Sequence, residues 1–163
     1  MAKVPDTSCS IARSVGLLGE RWTFLILRDA FDGLSRFDDF RRSLGIAADV
    51  LSARLATLVE YGVLDKVDYQ EPGARRRHAY VLTDAGRELF VIVAALQQWG
   101  DRHLPRSEGP SMLRRAKDGD DVHVGFVDSR GREVAPEDFV MVRTDAYPPE
   151  RRRLLAERGS LAG

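Results

Sequence analysis

The sequence is poor in the residues that build disulfides, metal sites and membrane spans. It has one cysteine and three histidines in 163 residues, and its 25 Lys and Arg balance its 25 Asp and Glu. Cys9 alone cannot close an intrachain disulfide, and His78, His103 and His123 lack cysteine partners at metal-ligand spacing. No apolar run approaches the roughly 20 residues that span a bilayer, and the N-terminus lacks the apolar stretch of a signal peptide. We therefore expect a cytoplasmic protein with no metal, no cofactor and no membrane partner.

Zero net charge also limits which partners the composition can predict. Without a global positive field, any contact with nucleic acid depends on a local cluster of basic residues. The histidines have no Ser, Cys or carboxylate at triad spacing and no glycine-rich phosphate loop is present, so we expect that the protein is not an enzyme. With 44% hydrophobic residues, a chain of this length can bury a core without disulfides.

Apolar periodicity predicts helices through the first sixty residues. In the helix expected over about 48–61, Leu51, Leu55 and Leu58 line one face. A short amphipathic helix precedes it, and Gly45 lies between the two, which is typical of a helix-turn-helix. The polar or small residues expected on the other faces of 48–61 are Asp49, Ser52, Ala53, Arg54 and Thr57. The predicted helices cover about 9–18, 21–31, 37–43 and 48–61.

A hairpin and a long helix are predicted next. Strands are expected at 63–69 and 78–82, and the Pro72-Gly73 pair marks the turn between them. The tip of this hairpin is basic, with Arg75, Arg76, Arg77 and His78. A single helix is expected from 83 to about 103, with an apolar stripe that includes Leu89, Val93, Leu96 and Trp99.

The composition changes after Pro105, where a linker begins. We therefore assign residues 1–104 to the main domain and residues 105–163 to an accessory C-terminal extension. Alternating apolar residues predict a small hairpin or meander around 129–131, and a tail helix is expected over about 149–158. The residues that carry this alternation are Val122, Val124, Phe126, Phe139 and Met141.

Several short motifs between Cys9 and Gly100 are familiar together, although each alone is weak. They are Gly19-Glu20-Arg21-Trp22-Thr23, Leu25-Ile26-Leu27-Arg28-Asp29, Gly33-Leu34-Ser35-Arg36-Phe37, Leu51-Ser52-Ala53-Arg54-Leu55, Tyr61-Gly62-Val63-Leu64, Tyr80-Val81-Leu82-Thr83-Asp84-Ala85-Gly86 and Trp99-Gly100. In these motifs the chain resembles the HxlR-type transcriptional regulators. The resemblance implies a mainly α fold with a small β wing, a winged helix-turn-helix with a small C-terminal β-hairpin and helix extension. It also implies a bacterial homodimer that binds double-stranded operator DNA.

The sequence departs from the family pattern at three places. Cys9-Ser10 stands where relatives commonly have Cys-Pro, and Ala47 stands where a Ser often opens the recognition helix. The second change removes a favourable helix cap. The stretch 122–143 has the hairpin pattern of a cysteine-bearing ribbon found in longer relatives but contains no cysteine, so no metal-bound tail is expected.

The resemblance makes the helix over 48–61 the recognition helix, whose exposed polar side chains read base edges in the major groove. We expect DNA contacts from Asp49, Ser52, Ala53 and Arg54. Arg54 can bind guanine or a phosphate, and the alternative is an ordinary solvated arginine. For Asp49, capping of the helix N-terminus is at least as good an interpretation as a bond from cytosine.

The basic hairpin tip is the densest cationic cluster of the resembling region. Arg75, Arg76, Arg77 and His78 are expected to contact phosphates or to enter the minor groove, and the alternative is a solvated charge run. Arg36, just before the first helix of the helix-turn-helix, is expected to reach a phosphate.

Binding to a palindrome needs two copies of the domain, and surplus apolar surface supplies a reason for pairing. A dimer interface is expected at Ile11, Val15, Leu89, Val93, Leu96 and Trp99, and the alternative is that about half of these pack within the subunit.

Regulation is the least specified property. A thiol near a helix N-terminus is easily oxidised, so Cys9 is a candidate redox sensor, whereas the alternative is a small buried thiol. A small-molecule effector bound near Phe126, Phe139 and Trp99 is a further hypothesis. Repression by promoter blocking is the simplest mechanism. The main rival function is a winged-helix module that binds protein and not DNA.

Overall fold

The computed structural model describes residues 4–70, 73 and 76–160, with the side chains of 158–160 left aside. They form two compact units, one over 17–124 and one from 4–16 and 125–160. No helix in the described part of the chain is both long and apolar enough to cross a membrane. The elements are α1 (Ser10–Leu18), α2 (Arg21–Phe31), α3 (Phe37–Leu44), α4 (Ala48–Glu60), β1 (Leu64–Tyr69), β2 (Arg77–Leu82), α5 (Asp84–Glu88), α6 (Phe90–His103), β3 (Phe126–Val127), β4 (Glu133–Val134), a 3-10 turn (Pro136–Asp138) and α7 (Pro149–Ser160).

The core of the first unit lies where α2, α3 and α4 meet. The apolar stripe of α4 is buried as predicted, and Phe40 of α3 is fully buried with it. Thr57 was expected on a polar face but is buried, because its hydroxyl donates to the Ala53 carbonyl at 3.0 Å and so needs no water. The buried core residues are Leu18, Ile26, Leu27, Phe40, Ile46, Leu51, Leu55, Leu58, Val63 and Leu64.

The turn between α3 and α4 has the predicted helix-turn-helix chemistry. Gly45 ends α3 with φ +60°, a left-handed conformation that favours glycine, and its N–H donates to the Arg41 carbonyl at 3.0 Å. Ala47 precedes α4 and provides no side-chain cap, because its methyl group cannot accept a hydrogen bond. The turn is short, and Phe40 of α3 and Leu51 of α4 belong to the same buried core.

The wing is the β1–β2 hairpin, an antiparallel pair in which Leu64 lies opposite Leu82 and Tyr69 lies opposite Arg77. Its second strand also pairs with the chain just before α3, since the Tyr80 N–H donates to the Ser35 carbonyl at 2.7 Å. The base of the wing is thereby held against the start of the helix-turn-helix.

The single long helix predicted from 83 to 103 is wrong, because the chain forms α5 and α6 with a break at Leu89. Around the break, i to i+3 bonds join Leu89 to Gly86 and Ile92 to Leu89. Leu89 itself packs against the core. Packing at this position therefore overrides the continuous helical pattern.

The hairpin of the second unit is shorter than predicted and is limited to β3 and β4. The Asp128 carboxylate accepts from the N–H groups of Arg130 and Arg132 and from the Arg132 guanidinium, and these bonds hold the pKa of Asp128 below its ordinary value. Pro136 then starts the 3-10 turn, because a proline has no N–H to continue the ladder. Phe139 and Met141 follow outside any strand.

Val122 and Val124, in the first unit, are likewise not in a strand. The Gln98 side chain takes both backbone groups of Val124, donating to its carbonyl at 2.9 Å and accepting from its N–H at 2.7 Å. The Val122 N–H donates to the Arg114 carbonyl at 2.9 Å. That bond belongs to an isolated antiparallel bridge between Arg115 and Asp121, and the pairing does not extend to Val124, whose backbone groups are occupied by Gln98.

Candidate nucleic-acid interface

The outer face of α4 is exposed and carries charge only at its two ends, at Asp49 and Glu60. Ser52 and Ala53 lie between them, away from the buried leucine stripe. Asp49 is in the first turn of the helix, where a carboxylate interacts favourably with the helix dipole. This face offers a hydroxyl and methyl groups between two carboxylates to any groove that the helix enters.

Arg54 lies apart from that exposed face. Its side chain is only 16% exposed, and its Nη1 lies 3.6 Å from Oε1 of Glu20, the residue that precedes α2. That nitrogen is buried and makes no hydrogen bond within the described residues. Arg54 lies three residues after Leu51 and four before Leu58, so it borders the buried stripe, and this spacing is the sequence signal for its burial. In this conformation Arg54 joins α4 to the start of α2.

Three described basic residues around the start of the second strand of the wing, Arg76, Arg77 and His78, each have an acidic neighbour. Arg76 Nη2 lies 3.0 Å from Asp68 Oδ2, and His78 Nδ1 lies 2.6 Å from Asp68 Oδ1. Arg77 Nη1 lies 3.6 Å from Oδ2 of Asp38 in the first turn of α3. Arg75, predicted to contact DNA with them, lies outside the described residues. The wing cations are exposed, but carboxylates partly offset their charge.

Arg36, Arg77 and His78 come together where the wing meets α3. The Arg36 guanidinium carbon lies 4.8 Å from the centre of the Tyr69 ring, a cation–π contact at the end of β1. Beside it is an open groove of about 280 Å³, in which burial raises the pKa of Tyr80. The sequence analysis did not assign the aromatic and acidic residues of this groove to a site, although Tyr69 and Tyr80 both lie within the predicted strands. The groove is lined by Phe37, Asp38, Tyr69, Arg77, His78 and Tyr80.

The six residues predicted at a dimer interface divide into two groups. Leu89 and Val93 are partly buried against the core of their own unit. On α6, Leu96 is 49% exposed and Trp99 is more exposed still, and on α1 both Ile11 and Val15 are exposed. On α6, Ile92 is also exposed and lies four residues before Leu96 and seven before Trp99, so these three side chains share one apolar side of the helix.

Cys9 is half-buried and immediately precedes α1. Its N–H donates to the Thr7 hydroxyl at 3.3 Å, and its carbonyl accepts from the Arg13 N–H at 3.1 Å. Within the described residues, no group of three or more His, Cys, Asp or Glu side chains is placed to hold a metal ion.

Residues 17–108 match the family described as HxlR-like helix-turn-helix. An uncharacterized HTH-type transcriptional regulator of Mycobacterium tuberculosis is 51% identical over 106 residues, which are 65% of this chain and 66% of that protein. The matched segment is therefore slightly less than two thirds of that relative.

Two solved structures are similar over most or all of their own length. The crystal structure of PA1607, described as a candidate transcription factor, is 37% identical, has a TM-score of 0.73, and covers 85% of this chain and 97% of that one. The redox regulator HypR in its reduced form is 26% identical, with a TM-score of 0.53 over 59% of this chain and 96% of that one.

These matches agree with the fold. The winged helix-turn-helix predicted from the sequence is confirmed by α3, α4 and the β1–β2 hairpin and by the similar structures. The prediction that the protein is not an enzyme is confirmed by its family, because these relatives are named as regulators of transcription or redox response. The matched segment, residues 17–108, contains every element from α2 through α6. The chain therefore belongs to the HxlR-like helix-turn-helix family.

Proposed function

We propose that this protein is a transcriptional regulator that binds a palindromic operator as a homodimer and represses by blocking a promoter. The carrying observation is the exposed outer face of α4, with Ser52 and Ala53 at its N-terminal half, in a fold whose cationic wing pairs at its base with the segment before α3. A reporter fused to the regulated promoter is expected to rise when the gene is deleted. A fall in its expression would contradict repression.

In the proposed complex, α4 enters the major groove with Ser52 and Ala53 toward the base edges. Asp49 either stabilises the N-terminus of α4 or accepts a hydrogen bond from a cytosine. Arg54 contacts DNA only after its guanidinium leaves Glu20, so its role depends on a side-chain rearrangement. The base contacts of Ser52 and Ala53 supply the sequence preference of the complex.

The wing follows the phosphate backbone or enters the minor groove through Arg75, Arg76, Arg77 and His78. Arg36 contributes a phosphate contact from the start of α3, where it already lies against the Tyr69 ring. Such contacts position the protein on the duplex and make its binding dependent on salt.

The homodimer forms through the exposed apolar side of α6, with α1 as a further contact. In a twofold dimer the two recognition helices lie roughly 34 Å apart, one turn of DNA. We also propose an oxidant or a small molecule as the effector. The similarity to the redox regulator HypR supports the oxidant, with Cys9 as the sensing thiol.

The test is selection of duplexes from a random pool, followed by affinity measurements at several salt concentrations. We expect an enriched inverted repeat with half-sites about one turn apart. The variant Arg75→Ala/Arg76→Ala/Arg77→Ala should bind about 10- to 100-fold more weakly at low salt, with a shallower salt slope, because it loses up to three phosphate contacts.

A matched control removes three arginines from α7 in the other unit, Arg151→Ala/Arg152→Ala/Arg153→Ala. It should keep near wild-type affinity for the selected duplex. Equal losses in the two triple variants would contradict the assignment of the contact to the wing. No enriched sequence and no salt-dependent binding would favour the protein-interaction module.

A further inference from the structure

The carboxylate of Asp68 holds one arginine and one histidine of the wing at once. Its Oδ2 lies 3.0 Å from Arg76 Nη2, and its Oδ1 lies 2.6 Å from His78 Nδ1, so each oxygen has its own donor. Asp68 of β1 lies directly opposite His78 of β2 in the ladder, which places the carboxylate next to the second strand of the wing. The side chain of Asp68 is 40% exposed, and those of Arg76 and His78 are more so.

These contacts can be exchanged for contacts with DNA. Exposed ion pairs contribute only about 0–1 kcal/mol each, and both donors are open to solvent. A phosphate presents the same kind of anionic oxygen to a guanidinium as a carboxylate does. In the free protein, Asp68 therefore occupies the donors that a DNA phosphate would bind. Its negative charge also repels the phosphate backbone of DNA that approaches these donors.

We infer that Asp68 is an affinity-determining residue of the wing, which competes with DNA phosphates for Arg76 and His78 and thereby weakens binding to duplexes of any sequence. This inference rests on the proposed function. Contacts from the wing to phosphates are the same at every sequence, whereas contacts from α4 to base edges are not. A carboxylate that weakens the wing contacts therefore lowers the affinity for every duplex by a similar factor and leaves the ratio of operator to random affinity nearly unchanged.

Asp65 of the same strand is a matched control. It is exposed, it carries the same charge, and it lies opposite Val81, so no ion pair involves it within the described part of the wing. Asp65→Asn and Asp68→Asn remove the same formal charge from β1. Any difference between the two variants therefore reports the contacts of Asp68 with Arg76 and His78 and not the charge count alone.

The experiment is fluorescence anisotropy of a labelled 20-base-pair random duplex and of the selected operator, from low to physiological salt, with the full chain. Asp68→Asn should bind the random duplex about 3- to 10-fold more tightly than Asp65→Asn does, as expected for one or two weak ion pairs released. The gain on the operator should be similar, so the ratio of operator to random affinity stays near the wild-type value, because the wing contacts do not depend on sequence. The salt slope should become steeper by about one phosphate contact.

A double-mutant cycle tests whether Asp68 acts on DNA affinity through Arg76 and His78. In the background Arg76→Ala/His78→Ala, Asp68→Asn should give no larger gain than Asp65→Asn, because the donors that it releases are gone. Thermal melting of each variant checks that the domain remains folded. If Asp68→Asn still increases the affinity more than Asp65→Asn does when Arg76 and His78 are absent, the inference is overturned.

The outcomes separate the inference from the function on which it rests. If wild-type protein binds its operator and the two Asn variants behave alike, the inference fails and the proposed function stands. If the wild type fails to bind the random duplex and Asp68→Asn binds it, the inference is supported. If no variant binds any duplex at low salt, the proposed function fails and the inference fails with it.

Discussion

Single carboxylates decide what each cation near the recognition helix can do in the free protein. Glu20 draws Arg54 away from the outer face of α4, and Asp68 holds two donors of the wing. Asp38 approaches Arg77 from α3 at 3.6 Å. DNA binding at these positions is therefore an exchange of one anionic partner for another, and its free energy depends on the difference between the two.

Cys9 carries the residue-scale prediction, which concerns the proposed oxidant response. Diamide treatment of the wild type should weaken operator binding, because oxidation of the lone thiol forms an intersubunit disulfide or a mixed adduct next to α1. Cys9→Ser should bind the operator before treatment and keep that affinity after it. Affinity is measured by anisotropy, with non-reducing electrophoresis to detect a linked dimer. A Cys9→Ser protein whose affinity still falls with diamide contradicts the assignment.

Among the elements, α5 is positioned by a close approach to the chain just before β1. The Thr83 hydroxyl donates to the Gly62 carbonyl at 2.6 Å and accepts from the Gly86 N–H at 2.9 Å, which caps α5. Gly86 is buried, and a Cβ placed on it would lie 2.1 Å from the Val63 carbonyl oxygen. Glycine is required here because the backbones of two elements nearly touch.

We therefore expect Gly86→Ala to lower the free energy of unfolding by about 2–3 kcal/mol, since the added methyl group forces α5 away from the turn. That loss corresponds to a drop in Tm of roughly 5–10 °C for a chain of this size. Thermal melting followed by circular dichroism measures it. The capped junction between β2 and α5 should be the part of the domain that shifts.

Gly100→Ala is the control, because nothing lies within 4 Å of a Cβ placed on that helical glycine. It should raise the free energy of unfolding by about 0.5–1 kcal/mol, the usual gain of alanine over glycine inside a helix. Equal melting temperatures for the two variants would show that α5 is not packed against Val63 as described.

For the whole molecule, the prediction concerns the exposed apolar side of α6, which we propose as the dimer interface. Leu96→Glu should convert the protein to a monomer, because a carboxylate in the proposed interface would lose its hydration without a partner. Operator affinity should then fall by roughly 100-fold, since the second half-site no longer adds to the first. Analytical ultracentrifugation and anisotropy measure the two effects.

Leu154→Glu makes the same change on α7, where Leu154 is 61% exposed. It should leave both the sedimentation coefficient and the operator affinity near those of the wild type. A Leu96→Glu protein that remains a dimer would exclude this side of α6 as the interface, whereas a monomeric wild type would contradict the proposed homodimer altogether.

Much of the element order was predictable, because helical periodicity and punctuation by glycine are local. The helix 21–31 was predicted with the observed ends, and α4 ends within one residue of its prediction. The site was predictable in part. The exposure of Ser52 and Ala53 follows from their spacing against Leu51 and Leu55, and this spacing is visible in the sequence.

Local patterns in the chain were enough to predict the family, the helix-turn-helix and the position of the wing, because each depends on patterns within a few residues. The carboxylate that each cation contacts depends on the folded structure, since Glu20 and Arg54 are distant in sequence and meet only through the packing of α2 and α4. The break at Leu89 and the absence of a strand at Val124 also depend on it. In both places, contacts between distant segments outweigh the local preference of the chain.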